Sequence, residues 1–211
     1  MRIKEYYKLT KSATTNCLKI SGLIFTTISV IIWGLTEGIS VSGSIIIFIK
    51  TFILCFLTGN TLGLFITGLA FAEGYLQVKN TIQVYNSIPF EIRDKYDLKI
   101  FVLPLNPKYN YLKMRIYSRK PKTPVIIIDK LSGPARVQLI LAIGSQNKNF
   151  PQLRIEIDKR YRKERINLIG WGLCKTINWK NFKRLSPEEI DKHIDRLLLI
   201  SGKEEVKPEF N

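Results

Sequence analysis

Between residues 45 and 72 the chain reads IIIFIKTFILCFLTGNTLGLFITGLAFA, and Lys50 is the only charged residue in that run. As a helix it is about 42 Å long, more than the ~30 Å hydrocarbon core of a bilayer, so it must tilt or protrude. A second apolar run, ISGLIFTTISVIIWGL at residues 20–35, is at the short end of the spanning range. The connection between them, TEGISVSGS at residues 36–44, is turn-rich and has no Lys or Arg. The pattern predicts an integral membrane protein with an N-terminal hairpin of two transmembrane helices. Lys50 lies near the start of the second run, where its stem can snorkel to the headgroups. At mid-bilayer it would cost at least ~2.5 kcal/mol.

Orientation follows from the flanks. Arg2, Lys4, Lys8, Lys11 and Lys19 precede the first run, Lys79, Arg93 and Lys95 follow the second, and the connection offers only Glu37. The positive-inside rule then predicts that both termini are cytoplasmic, in a multi-pass membrane protein. A cleaved signal peptide at residues 1–35 is the competing reading. The long basic start and the immediate second apolar run argue against it. Within the second run, Thr51, Cys55, Gly59, Gly63 and Thr67 recur every fourth residue, with Asn60 beside them. Small residues allow two helix backbones to approach, and a buried amide seeks a partner on the facing helix. These six residues are the expected assembly face. The partner is either the first span of the same chain or a second copy of the protein, and Lys50 and Asn60 from several copies could line a pore.

The rest of the chain is basic. Of 33 Lys and Arg residues against 17 Asp and Glu, giving a net charge of +16, only Arg2, Lys4, Lys8, Lys11, Lys19 and Lys50 precede Glu73. Such an excess favours anionic lipid, nucleic acid or a phosphorylated small molecule. Residues 73–96 read as a stalk that carries the second helix out of the bilayer. From residue 97 to 185 the hydrophobic period is two. LKIFVLP (98–104), YLKMRIYS (111–118), VIIID (125–129), RVQLILAIG (136–144), QLRIEID (152–158) and RINLIGW (165–171) read as strands, with TINW (176–179) as a further one. The expectation is a mainly antiparallel β domain with one buried face, barrel-like or curled as a meander. Residues 186–202 read as an amphipathic helix, with Ser186 as N-cap, Pro187 at N1 and Glu189 completing a capping box. Residues 203–211 read as a loose tail.

Catalysis is not expected. His193 is the single histidine, and Cys17, Cys55 and Cys174 are too scattered for a disulfide framework or a metal site. No nucleophile, base and metal constellation is recognisable, and no cofactor or DNA-binding motif is predicted. The expected ligand-binding residues are Tyr111, Arg115, Tyr117, Arg136, Arg154 and Trp171, because Arg with aromatic rings suits a phosphorylated, base-bearing ligand. KRYRKER, residues 159–165, adds a basic cluster on a turn.

In the order of its parts, the two apolar runs followed by strands from Leu98 to Trp179, the chain resembles the two-transmembrane β-barrel effectors of bacterial CBASS-type antiphage signalling. The resemblance is one of architecture and carries no motif. It implies that a cyclic nucleotide binds the β domain, that the chain forms a homo-oligomer, and that assembly of the helices disrupts the inner membrane. The alternative is a membrane-anchored adaptor whose basic domain docks an acidic protein or anionic lipid without a small ligand.

Overall fold

The computed structural model describes residues 1–37, 45–103, 106, 108, 110–130, 136–144 and 150–210. The chain divides into two compact units, one formed by Met1–Leu76 with Pro104–Leu112 and the other by Gln77–Leu103 with Lys113–Asn211. The expected connection at residues 36–44 falls, from residue 38 onward, outside the described residues.

The first unit is built on α1 (Ile3–Glu37) and α2 (Ile45–Ser87). Both contain segments long and apolar enough to cross a membrane, Ile3–Gly34 and Ile49–Ser87. Leu23, Ile31, Phe52, Leu54, Leu64 and Phe65 are all largely exposed, more contiguous apolar surface than a water-soluble monomer normally presents. The small residues lie between the two helices. A Cβ on Gly59 would meet the Thr26 backbone nitrogen at 2.5 Å, and one on Gly63 would meet the Gly22 nitrogen at 2.8 Å. Thr67, 5% exposed, donates to Cys17 Sγ at 3.6 Å and lies 3.4 Å from the Ser21 hydroxyl. Cys55 is buried on the same line, Thr51 is half-buried, and the Asn60 amide donates to its own helix at the Phe56 carbonyl, 2.7 Å away. The stripe therefore packs α2 against α1 of the same chain. Tyr111 joins this unit, with its hydroxyl 3.5 Å from the Thr67 carbonyl and its ring 6.3 Å from that of Phe71.

The second unit is an open, six-stranded antiparallel sheet with helices on one face. The strands are β1 (Lys99–Val102), β2 (Met114–Tyr117), β3 (Ile126–Lys130), β4 (Arg136–Ala142), β5 (Ile166–Ile169) and β6 (Gly172–Asn178), in the order β1-β2-β3-β4-β6-β5. The barrel alternative is corrected: β1 and β5 remain edges. Helices bury one face without closure of the sheet. These are α3 (Phe90–Lys95), α4 (Phe150–Arg160), α5 (Trp179–Phe182) and α6 (Pro187–Lys203). The core joins Ile116, Ile128, Val137, Leu139 and Leu173 to Ile190, Ile194, Leu197 and Ile200 of α6. Of the stretch expected as a stalk, Val84, Ile88, Ile92 and Tyr96 are members of this core. The other face carries a second buried cluster, Val125, Ile127, Ile140, Ala142 and Cys174. Hence β3 and β4 are apolar on both sides, where one buried face was expected.

Three other expectations change. QLRIEID is helical, within α4. Phe150, Leu153, Ile157 and Tyr161 face the core at helical spacing, whereas Ile155, which alternation would bury, is 69% exposed. TINW divides, its first three residues ending β6 and Trp179 opening α5. The tail is fixed: Glu209 bridges the Val125 and Ala142 backbones, and Pro208 and Phe210 form bridges with Ile143 and Pro124. The capping box on α6 is present as expected, with both reciprocal bonds between Ser186 and Glu189.

Replacing Gly63 by Leu should separate α1 from α2 at a cost of about 1–3 kcal/mol, the range for an overpacked contact. The check is thermal unfolding of the full chain in micelles. Gly68→Leu, whose Cβ enters open space, should leave the midpoint unchanged.

Candidate anion-binding groove

The turn between α4 and β5 sorts its charges by side. Arg160 Nη1 donates to both carboxylate oxygens of Glu204, at 2.6 and 2.7 Å, and the Tyr161 hydroxyl donates to the same carboxylate at 2.7 Å. Glu164 accepts two bonds from Arg196 of α6, at 2.8 and 3.0 Å, and Lys175 Nζ donates to the Glu164 carbonyl. Tyr161 is only 5% exposed. Arg160, Tyr161 and Glu164 are thus fixed toward α6 and the residue following it. Lys159, Arg162 and Arg165, spaced by three along a helical end and a 3-10 turn, fall on the other side.

There they line an open groove of about 850 Å³ together with Arg136, Asp158, Ile166, Asn167 and Thr176. Arg136 begins β4 opposite Asn178, and Thr176 stands opposite Gln138, so β4 and β6 supply one wall. Among the described residues, no carboxylate lies within ion-pairing distance of Arg136, Lys159, Arg162 or Arg165. The acid in the lining, Asp158, accepts the Leu168 N–H at 2.9 Å and faces Arg154 Nε at 3.9 Å. Arg165 has φ 57°, a left-handed conformation that costs a non-glycine residue about 1 kcal/mol. Its carbonyl accepts the Thr176 N–H at 3.0 Å, which holds it beside β6.

The expected ligand residues are not gathered in one place. Arg136 lines the groove, and Arg154, one turn before Asp158, is exposed on α4. Arg115, Tyr117 and Trp171 meet on the sheet face that carries the second cluster. Arg115 is already engaged: its Nε is 3.3 Å from Asp129, and its guanidinium lies 4.7 Å from the Trp171 ring centroid. Trp171 comes from the β5–β6 turn, which needs Gly172 because a Cβ there would meet the Leu141 carbonyl at 2.5 Å. Burial pushes the Asp129 carboxyl above its usual range despite the opposing pull of Arg115, and burial pushes the Cys174 thiol up to about 12. Tyr111 belongs to the first unit. Asn167 and Thr176, which line the groove, were not anticipated. The period of three at residues 159, 162 and 165 was the available signal.

No family model matches the chain, and no curated protein or solved structure matches it.

Two outcomes follow from this geometry. Arg115→Ala leaves the largely buried Asp129 without its counter-charge and should cost about 3–5 kcal/mol in urea unfolding. The carboxyls that tie the turn to α6 are both held low. For Glu164 the Arg196 hydrogen bonds dominate; for Glu204, burial acts upward and is outweighed by Tyr161 and Arg160. Their folded pKa values lie below the unfolded ones. Their contribution is therefore present above about pH 4.3 and is lost as pH falls through the folded values. Acid unfolding followed by Trp fluorescence should show this, and the Glu164→Gln, Glu204→Gln pair should flatten it.

Proposed function

We propose that this chain is a membrane-anchored receptor whose sheet unit takes a phosphate-bearing anionic ligand in the groove of Arg136, Lys159, Arg162 and Arg165. The observation that carries this reading is the convergence of four cations that have no carboxylate partner among the described residues. Guanidinium groups present a planar fork suited to phosphate, and a groove of about 850 Å³ is of the size that holds a small molecule. Anchoring is supported by the two long apolar helices and their exposed Leu, Ile and Phe side chains.

In the effector form of this reading, suggested by the resemblance to CBASS effectors, the ligand is a cyclic nucleotide and the membrane is the bacterial inner membrane. Binding then favours an assembled state of several chains that disrupts the bilayer. Because α1 occupies the small-residue face of α2, assembly would use the outward apolar faces of the hairpin.

A phosphate-bearing ligand should raise the unfolding temperature of the full chain in neutral micelles, by an amount that grows with ligand concentration. A panel of cyclic dinucleotides and inositol phosphates is the assay. Arg136→Ala should weaken the response about tenfold, the loss of one charge-assisted bond, whereas Arg115→Ala should lower the starting stability and leave affinity unchanged. A chain that binds an acidic protein yet shifts with none of these ligands would be an adaptor, and the receptor reading would fall.

A further inference from the structure

We infer that the groove recognises its ligand by clustered phosphates and not by a nucleobase. This deepens the receptor reading above and rests on it. The lining consists of three guanidiniums, one ammonium, the Asn167 amide, the Thr176 hydroxyl, the engaged Asp158 carboxylate and Ile166. Among the described residues that line it there is no aromatic ring. Aromatic stacking together with polar groups set against the base edge is a common mode of base recognition. Three rings of the same unit are committed elsewhere. Tyr161 is buried with its hydroxyl on Glu204, and Trp171 lies against Arg115. Trp179 stacks on Phe182, its ring also faced by Lys130 and Lys183 at 4.6 and 4.7 Å.

The cations come from separate places: the first residue of β4, the end of α4, the 3-10 turn and the residue that precedes β5. They therefore present charge from two walls of an opening of about 850 Å³, Arg136 from the sheet and the other three from the turn. A ligand carrying several phosphates can engage more of them at once than orthophosphate can. The backbone of Arg165 points the same way. An arginine held at φ 57°, where glycine is favoured, puts a long cation into the groove against its local preference. Such a ligand has two sources, a soluble polyphosphorylated molecule or the phosphorylated headgroup of a lipid in the membrane that holds the chain.

The test uses the full chain in phosphatidylcholine nanodiscs and measures calorimetric affinity for orthophosphate, tripolyphosphate, ATP, GTP, CTP and UTP. Tripolyphosphate should bind about a hundredfold more tightly than orthophosphate, and the four nucleotides should agree within about twofold. Arg162→Ala should weaken tripolyphosphate about tenfold. Arg165→Gly should do the same while its unfolding temperature holds or rises, which separates lost binding from lost folding. Nanodiscs doped with a phosphorylated inositol lipid separate the sources. If they abolish Arg162-dependent binding of tripolyphosphate, the ligand is a headgroup; if binding persists, it is soluble. Either result supports the inference. A preference of tenfold or more among the four bases, or tripolyphosphate no tighter than orthophosphate, overturns the inference and leaves the receptor reading standing. If no phosphate probe binds in a manner that depends on Arg162 or Arg165, both fall.

Discussion

The turn that ends α4 is held by two carboxylates, and the distribution of charge in the sheet unit depends on them. Glu204 takes Arg160 and the Tyr161 hydroxyl, and Glu164 takes Arg196. With Arg160, Tyr161 and Glu164 fixed toward α6 and the residue after it, Lys159, Arg162 and Arg165 line the opposite side. Arg136 already stands there, at the start of β4. Four cations around one opening repel one another, a cost that solvent and salt reduce and that an anion removes. Glu164 thus holds α6 at Arg196 and Glu204 holds its C-terminal end; in the segment that follows, Val206 is buried and Glu209 joins the backbones of Val125 and Ala142. A short C-terminal stretch that composition alone marks as polar is joined to the sheet by these backbone bonds.

The unit of two long apolar helices, which could span a membrane, follows a different rule. Lipid gives two apolar helices no hydrophobic reason to associate, so their contact depends on backbone approach and on polar groups in the seam. Gly59 against Thr26, Gly63 against Gly22 and Thr67 against Ser21 and Cys17 supply both. The stripe of small residues was legible as an assembly face from its spacing. Which helix it faces was not, because the chemistry of close approach is the same within a chain and between chains. Asn60 shows the ambiguity at one residue: its amide donates to the Phe56 carbonyl of its own helix, a bond that asks nothing of a partner.

In the sheet unit, most strands and the capped helix α6 could be read directly, because apolar alternation and the Ser186–Glu189 pair are local signals. α4 could not. Leu153, Ile155 and Ile157 alternate like a strand, yet Leu153 and Ile157 also lie four apart, and the core needs Phe150 and Tyr161 with them. The misplaced period concealed the groove, since the spacing of Lys159, Arg162 and Arg165 has meaning only on a helical end. The open edges of the sheet were equally hidden. Closure into a barrel and coverage by helices bury the same residues, and the choice between them is made by α3 and α6 from outside the strand pattern.

Arg115 and Arg136 show why residue type alone misidentifies a site. Both lie on strands, and both were expected to hold ligand. Across the sheet the register sets Asp129 opposite Gln138 and Gln138 opposite Thr176, so a polar row runs from the Asp129 carboxylate to the groove wall. Arg115 closes that row at its inner end, where Asp129 is 13% exposed and Trp171 lies across the guanidinium. A charge so placed is neutralised by its neighbour, and removing it leaves the carboxylate stranded. Arg136, in the same sheet but at the exposed start of its strand, has no such neighbour among the described residues. What separates a structural arginine from an available one is therefore the carboxylate that the register does or does not set beside it, a long-range fact that the local sequence around either residue does not contain.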